Sequence, residues 1–297
     1  MNNINLNLYK TFYEVAKYGS ISKAAQNTYT SQSAISKSIK RLEEELEAKL
    51  FHRKLSGVEL TDKGKELYYY VDKSYNNLLI AQRNMIEEES LKRGKIKIGM
   101  PSNIGSFFLF DKVVDFHNKY SNIEITIITG STSQLLKLLD SHKIDFIVDT
   151  SPINIGVNSD FRLKKLSRVY YCFVAKKDTK FADLDKIEDL ESIPLILPIP
   201  GTTNRNDLED LFLSRNIIPN NVINIHTSEM IISAVKKGLG VGYVIENLVE
   251  NEIDLKVLDI SNEMPYADIN IVYNTHFLTT APKKFIEEYI NKDLDFE

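Results

Sequence analysis

The residues best suited to chemistry in this sequence lie close together, and they combine hydroxyl, amide and basic groups. Eleven consecutive positions contain Ser31, Gln32, Ser33, Ser36, Lys37, Lys40 and Arg41. Lysine and arginine donate to phosphate oxygens and to guanine O6 and N7, while serine and glutamine bond to base edges or to phosphate. This combination predicts contacts with double-stranded DNA. The alternative interpretation is a solvated helix face without a partner.

The distribution of charge along the chain favours a polyanionic partner. The formal net charge is −4, but residues 15–42 contain five basic residues and no acidic one. Residues 1–90 carry a net charge of +1, which leaves −5 for the remainder. A local positive region on an acidic chain predicts that this region, rather than the whole surface, meets nucleic acid.

Helical periodicity places the basic and hydroxyl groups on one side of a helix. At about 100° per residue they fall together, and an apolar set falls opposite them: Ile35, Ile39, Leu42 and Leu46. A first helix is expected over residues 7–18, and a shorter one over 23–28, capped by Ser22. A short helix joined by a tight polar turn to such a helix is typical of a helix-turn-helix, whose second helix enters the major groove.

Two short strands, residues 50–54 and 58–60, are predicted around a turn that contains Gly57. They would make the motif winged. Arg53, in the first of these strands, is a candidate for a phosphate or minor-groove contact. Residues 1–60 are therefore predicted to form an α+β winged helix-turn-helix domain that binds DNA.

A long linker helix is predicted over residues 61–90, with Thr61 as its cap. Two seven-residue series run along it: Leu60, Leu67, Ser74 and Ala81, and Gly64, Val71, Leu78 and Met85. Interleaved heptads favour pairing between two chains and so predict a homodimer or homotetramer. Packing of the helix on its own domain explains the pattern equally well.

From residue 94 onwards strands alternate with helices, which predicts α/β architecture with parallel strands. In the first part, strands are expected over residues 95–99, 123–129 and 144–149, with helices near 106–119 and 133–141. In the second part, strands are expected over 169–175, 195–197, 222–226 and 241–244, with helices near 206–214 and 229–237. A strand over 269–273 and a helix over 277–290 end the pattern. We expect one lobe over residues 94–166 and 267–297 and a second lobe over 167–266, with a cleft between them.

Polar pairs follow four of these predicted strands, at the ends where open α/β sheets bind ligands. They are Ser102 and Asn103, Ser131 and Thr132, Thr202 and Thr203, and Thr227 and Ser228. Each pair alone is more often a helix N-cap than a ligand contact. Together they predict a site for a small anion, because hydroxyls and helix N-termini both donate to negative charge.

Catalytic motifs are absent from the sequence. It has no glycine-rich phosphate loop with lysine, no Gly-x-Ser-x-Gly and no His-Glu-x-x-His, so we expect no enzymatic activity, no cofactor and no metal. The glycines at 238, 240 and 242 are interpreted as a helix cap and a tight strand entry, and Cys172 as a buried, inert thiol. Without an apolar run long enough for a membrane span, and without a secretory signal, a cytoplasmic protein is expected.

Three blocks of sequence resemble the winged helix-turn-helix of LysR-type transcriptional regulators. They are GSISKAA at 19–25, SQSAIS at 31–36 with IKRLE at 39–43, and LFHR at 50–53 with LTDKG at 60–64. The remainder resembles the inducer-binding part of that family at Ser102 and at residues 201–205 and 238–242. Glu47 stands where the family usually has glycine, and Ile245 where it commonly has proline.

The resemblance implies two periplasmic-binding-protein-like lobes over residues 94–297, linker helices that pair in dimers or tetramers, and a small-molecule inducer. With the residue patterns, it predicts a sequence-specific transcriptional regulator that reads a pseudo-palindromic operator and is controlled by an anionic inducer between the lobes. The alternatives are a transport-type solute-binding protein, which the basic amino-terminal helix pair opposes, and a small-molecule enzyme.

Overall fold

The computed structural model describes residues 4–54, 57–86, 91, 93–150, 152–156, 160–260, 264–274 and 277–290. The chain divides into two compact units, residues 1–86 with 140–143 and residues 87–139 with 144–297. No helix in the described ranges combines the length and the apolar character that a membrane span requires.

Three helices open the first unit, and their caps explain where each begins. They are α1 (Leu6–Tyr18), α2 (Ile21–Asn27) and α3 (Gln32–Glu45). The predicted cap of α2 was wrong: Ser20, not Ser22, caps it by accepting a hydrogen bond from the Lys23 amide at 3.4 Å. This early start is possible because Gly19, with φ of 60°, ends α1 directly before the cap.

A small apolar core holds the three helices together. Its buried members come from each of them and from the start of the wing: Leu8, Phe12, Val15, Ala24, Ala25, Ile35, Ile39, Leu42 and Leu50. Since Ile35, Ile39 and Leu42 share one side of α3, the predicted apolar side of that helix is confirmed.

A two-stranded wing follows, formed by β1 (Phe51–Lys54) and β2 (Gly57–Leu60), which pair antiparallel. Helix α4 (Asp62–Ile86) comes next. Thr61 caps it, as predicted, by accepting a hydrogen bond from the Gly64 amide at 2.9 Å. Residues 55–56 of the predicted turn and 87–90 of the predicted linker lie outside the described residues.

The turn from α3 to the wing uses a residue in the left-handed conformation. Glu47 has φ of 51°, a value that favours glycine. The Ala48 amide donates to the Glu43 carbonyl at 3.0 Å and closes the turn. The turn therefore forms with glutamate in this place, at a conformational cost of about 1 kcal/mol.

The two heptad series on α4 lie in two environments. Leu67 and Val71 pack against the helix-turn-helix core. Leu78 and Met85 instead expose 62% and 89% of their surface. The first half of α4 therefore packs on its own domain, while the second half presents apolar side chains to the exterior.

Two sets of parallel strands form most of the sheet in the second unit. In the first set, β3 (Gly94–Met100) lies between β4 (Ile123–Thr129) and β5 (Phe146–Thr150). In the second set, β7 (Pro194–Pro198) lies between β8 (Asn221–Ile225) and β9 (Val241–Ile245). These strands occur close to where the sequence predicts them.

Two long antiparallel strands join the sets. They are β6 (Arg162–Lys176) and β11 (Tyr266–Tyr273), and the short β10 (Leu255–Val257) pairs with β6. The order along the sheet is β4-β3-β5-β11-β6-β9-β7-β8. Because β11 pairs with β5, the predicted return of the last strand to the first set is confirmed. The start of β6 was predicted too late, at Val169, because its basic and half-exposed first part is held by pairing with β11 rather than by apolar alternation.

Helices connect the strands. They are α5 (Ser102–Ile104), which continues through a π-helical turn over Gly105–Leu109 into α6 (Phe110–Lys119), then α7 (Thr132–Asp140), α8 (Thr203–Ser214), α9 (Ser228–Lys236) and α10 (Thr280–Phe285). The last was predicted from Phe277. It begins later, with Pro282 in its first turn, where proline is tolerated.

The result is a winged helix-turn-helix with a long helix, followed by a two-lobed α/β fold, which confirms the predicted fold class. The lobe boundaries proposed from the sequence stay a prediction. A periplasmic-binding-protein-like description of the lobes is an analogy of architecture only.

Candidate DNA interface and effector site

Helix α3 presents the predicted polar residues to the exterior. Ser36 is half-buried and the others on this helix and its cap are exposed: Ser31, Gln32, Ser33, Lys37, Lys40 and Arg41. We call these seven residues the α3 polar face. Ser31 also has a structural role, because its Oγ caps the helix by accepting from the Ala34 amide at 3.2 Å.

Two cations of the α3 polar face have acidic partners one turn further along the helix. Lys40 Nζ lies 3.6 Å from a Glu44 carboxylate oxygen, and Arg41 Nε lies 2.7 Å from one of Glu45. Exposed pairs of this kind contribute about 0.3–0.5 kcal/mol. A phosphate group can therefore replace these acids at small cost.

Glu43 connects α3 to the wing. Its carboxylate accepts hydrogen bonds from Lys49 Nζ at 2.7 Å, from the Leu50 amide at 2.9 Å and from the Phe51 amide at 3.4 Å. Burial acts to raise the pKa of Glu43, but these hydrogen bonds outweigh it and the pKa is lowered. The carboxylate thus stays ionised and fixes the start of β1, the strand on which Arg53 lies exposed.

The turn before α3 contains a residue that sequence reasoning missed. Tyr29 is 99% exposed and has φ of 52°. A large aromatic residue in the left-handed region, without burial to stabilise it, is unusual. The available sequence signal was a tyrosine inside a polar turn, where glycine or asparagine is the ordinary choice.

In the second unit, the predicted effector residues stand at strand ends. Parallel pairing brings the carboxyl ends of β3, β4 and β5 to one edge, and those of β7 and β8 to another. The first edge carries Ser102, Asn103, Ser131 and Thr132, and the second carries Thr202, Thr203, Thr227 and Ser228. The structure therefore groups them in two sets of four.

Several of these hydroxyls make local bonds. Ser131 Oγ accepts from the Gln134 amide at 3.4 Å, and Thr227 Oγ1 accepts from the Met230 amide at 3.3 Å, so both act as helix caps. Thr202 Oγ1 donates to the Ile199 carbonyl at 3.0 Å. Thr132 is different, because its Oγ1 donates across the edge to the Asp149 carboxylate at 2.7 Å.

Asp149 is the second residue that sequence reasoning missed, although the predicted strand ended on it. It is 2% exposed and lies at the carboxyl end of β5. Burial raises the pKa of Asp149 to about 6, against the opposing effect of hydrogen bonds from Thr132 and the Thr150 amide. An acidic residue that ends an otherwise apolar strand was the available signal.

Arg205, in the first turn of α8, is held by three groups of its own unit. Its guanidinium donates to a Glu209 carboxylate oxygen at 2.7 Å, to the Pro198 carbonyl at 3.0 Å and to Asn224 Oδ1 at 2.9 Å. The side chain is buried and ties α8 to β7 and β8. Its role in this arrangement is structural.

A cavity of about 460 Å³ also lies in the second unit. Ser106 and Phe107 line one part of it, and Glu229, Ser233 and Lys236 line another. Ser106 and Phe107 lie in the π-helical turn that follows α5, which begins at Ser102, and the other three residues lie in α9, which begins at Ser228. The eight predicted effector residues themselves are not among its lining residues.

The remaining chemical candidates are structural. Gly238, with φ of 78°, ends α9, and a Cβ at Gly240 would lie 2.2 Å from the Pro194 carbonyl oxygen, so the interpretation of this segment as a cap and a close strand entry is confirmed. Cys172 is fully buried, and burial raises the pKa of its thiol to about 12. Within the described ranges no group of acidic, histidine and cysteine side chains is arranged to hold a metal ion.

Comparison with known proteins identifies the class to which this fold and these surfaces belong. Residues 89–292 match the LysR substrate binding domain, and residues 6–65 match the bacterial regulatory helix-turn-helix of the lysR family. The chain therefore belongs to the LysR family of DNA-binding transcriptional regulators, with a ligand-binding domain after the helix-turn-helix.

Individual relatives agree with this assignment. The chain is 27% identical over 288 residues to the HTH-type transcriptional regulator SoxR of an Arthrobacter species, covering 94% of each chain. A full-length OxyR variant from Pseudomonas aeruginosa has the same fold, with a TM-score of 0.72 at 20% identity over 97% of this chain and 98% of that one. Full-length CbnR, solved in complex with its target DNA, gives a TM-score of 0.68 at 16% identity over 96% and 99%.

Proposed function

We propose that the α3 polar face reads a pseudo-palindromic DNA operator and that Arg53 of the wing adds a phosphate or minor-groove contact. The observation that carries this proposal is the exposure of hydroxyl, amide and cationic groups opposite the buried side of α3. Gln32, Ser33 and Ser36 lie in the amino-terminal half, the part of a recognition helix that meets base edges. The cations lie further along and suit phosphate.

Replacing Lys40 tests the proposal. With a duplex taken from the region upstream of the chain's own gene, Lys40→Ala should weaken binding to all sequences and make the slope of log affinity against log salt shallower by about one unit. Lys186→Ala, an equal loss of charge at an exposed site in the second unit, is the matched control and should leave the slope unchanged. Ser33→Ala should alter sequence preference more than overall affinity. Wild-type protein without salt-dependent affinity for this duplex would refute the proposal.

The effector of this regulator is, in our proposal, a small molecule bound between the two lobes, with an anionic group directed at the amino-terminal ends of α7, α8 and α9. Support comes from the polar pairs at the two sheet edges and from the backbone N–H groups that such helix ends offer. An effector at a hundredfold excess over its Kd should stabilise the protein by about 2.7 kcal/mol. Ser102→Tyr places a ring at the first edge and should abolish this stabilisation, while DNA affinity without effector stays the same.

We also propose that the protein acts as an oligomer and performs no catalysis; the relatives that it matches are transcriptional regulators. A regulator of chromosomal genes works where that DNA is, so its proposed location is the cytoplasm. Turnover of a confirmed effector by the purified protein would contradict this part of the proposal.

A further inference from the structure

Four buried or half-buried side chains of the second unit form an acidic and phenolic group that the proposed DNA interface does not use. We call it the acid–tyrosine cluster: Asp149 at the end of β5, Tyr171 in β6, Asp207 in α8 and Tyr243 in β9. Strand β5 belongs to the first set of parallel strands and β9 to the second, β6 is one of the two strands that join the sets, and α8 connects β7 to β8. The cluster therefore lies where the two lobes meet.

The carboxyl group of Asp149 is fixed by hydrogen bonds, but no cation from the described part of the chain lies beside it. It accepts hydrogen bonds from Thr132 Oγ1 and from the Thr150 amide, each at 2.7 Å. Among the described residues no cation influences its ionisation, and the same is true of Asp207, whose pKa is raised by burial and by Asp210. Carboxylates removed from water are ordinarily paired with a cation, so the buried Asp149 lacks the partner that its surroundings call for, while Asp207 is half-buried.

Tyr171 connects the two acids. It is almost fully buried, and its pKa is raised first by burial and then by the charges of Asp207 and Asp149, against the opposing effect of a hydrogen bond with Thr150. The phenol therefore lies within electrostatic range of both carboxyl groups.

The hydroxyl of Tyr243 is an independent indication that this region binds a polar group. Its ring stacks on that of Tyr171, with the centroids 5.4 Å apart. Its Oη is fully buried, and no hydrogen-bond partner for it exists among the described residues. Burial, followed by the neighbouring Tyr171 and Asp207, raises the pKa of Tyr243, so the hydroxyl keeps its proton. A buried hydroxyl without a partner is destabilising in the free protein, and a polar ligand would satisfy it.

We infer that the effector carries a cationic nitrogen, held by the carboxylates of Asp149 and Asp207 with the rings and hydroxyls of Tyr171 and Tyr243 beside it. Carboxylates accept hydrogen bonds from an ammonium or amidinium group, and aromatic faces attract such a cation. The inference rests on the proposed function, in which the anionic group of the same molecule meets the helix amino termini. Together the two statements describe a zwitterion of the amino-acid type.

Matched pairs of compounds test the charge of this group. The full-length protein is titrated with amino acids and, beside each, with the 2-oxo acid of the same carbon skeleton, and linear diamines are added to the series. Thermal stabilisation should come from at least one nitrogen-bearing compound and not from its nitrogen-free counterpart. For that compound, Asp149→Asn should weaken Kd by about a hundredfold or more, since one partner of a buried ionic contact is lost. Asp185→Asn, at an exposed site of the same unit, is the control and should leave Kd unchanged.

Tyr243→Phe separates a binding role from a structural one. Removing the unpartnered hydroxyl should leave the melting temperature of the free protein unchanged or higher, while the shift caused by the nitrogen-bearing compound becomes smaller. Equal stabilisation by both members of a pair, stabilisation by nitrogen-free compounds only, or no response to any nitrogen-bearing compound would overturn the inference. If nitrogen-free anions stabilise the protein and Ser102→Tyr abolishes that stabilisation, the proposed effector site is supported although the cationic group is not. DNA binding is tested separately, through Lys40→Ala.

Discussion

Lys40 and Arg41 show that a charged side chain can have an intramolecular partner and still be available to a ligand. Both belong to exposed pairs along α3, with acids one turn away. Water screens such pairs, whereas each cation that neutralises a DNA phosphate releases condensed counterions. Arg205 is the opposite case, because three groups hold its buried guanidinium. Burial and the number of partners, more than residue type, separate a candidate DNA contact from a structural cation.

The ionisation of Asp149 makes a prediction about pH. Its pKa is raised to about 6 in the folded protein, above the ordinary value of 3.8. The folded state therefore binds the proton more tightly than the unfolded state, and the stability this contributes is present below pH 3.8 and is lost as pH rises through 6. Asp149→Asn removes that dependence and should stabilise the free protein by about 1–3 kcal/mol at pH 7.5.

Denaturant unfolding of wild type and Asp149→Asn between pH 5 and 8 measures this effect. The gain should shrink as pH falls toward 5. Asp185→Asn, in an exposed position, should show no such trend. A constant difference between wild type and Asp149→Asn at all pH values would show that the carboxyl group titrates normally.

Sequence reasoning found the α3 polar face but missed the acid–tyrosine cluster, and the reason is physical. The α3 residues lie within one helix, whose period converts spacing into a face. Asp149, Tyr171, Asp207 and Tyr243 come from four elements far apart in the chain, and they come together only through the order of β5, β6 and β9 in the sheet and the position of α8. The hydroxyl pairs were predictable as strand-end residues, but which of them serve as caps depends on bonds such as Thr227 Oγ1 to the Met230 amide.

At the level of elements, local signals located the helices and strands well where burial follows a simple period. Strand β4 spans the predicted residues, and Thr61 caps α4 as expected. The errors occur where tertiary pairing replaces periodicity, as in the early start of β6, or where two caps compete, as at Ser20 and Ser22. Such competition is decided by neighbouring turns, here by the left-handed Gly19.

The turn between α3 and the wing gives a prediction about stability. Since Glu47 has φ of 51°, Glu47→Gly should remove a strained conformation and stabilise the first unit by about 0.5–1 kcal/mol. Glu47→Ala keeps the Cβ atom and serves as the control, which should show no gain. Chemical denaturation of the full chain, followed by a probe in the first unit, checks the difference. A less stable Glu47→Gly protein would mean that the glutamate side chain contributes more than its backbone costs.

For the whole molecule, the exposed second half of α4 favours pairing between chains. Leu78 and Met85 are largely exposed, whereas Val71 packs on its own domain. Leu78→Glu with Met85→Glu should therefore lower the oligomeric mass without unfolding the chain, and should abolish tight operator binding because two α3 helices are no longer presented together. Light scattering and circular dichroism measure these two properties. Val71→Glu is the contrasting control and should destabilise the first unit itself. An unchanged mass of the double variant would place the oligomer interface elsewhere.

Two-fold pairing also predicts the geometry of the operator. Each chain presents one α3 polar face, so a dimer reads two half-sites on the same side of the duplex, about 34 Å or a multiple of it apart. Inserting about 5 base pairs between the half-sites turns one of them to the opposite side of the duplex and should reduce the affinity to that of a single half-site. An insertion of about 10 base pairs returns both half-sites to the same side and should restore part of the affinity. Gel-shift titrations on the three spacings measure this. Equal affinity for all three would mean that each chain binds DNA on its own, and the Leu78→Glu, Met85→Glu protein should show that behaviour.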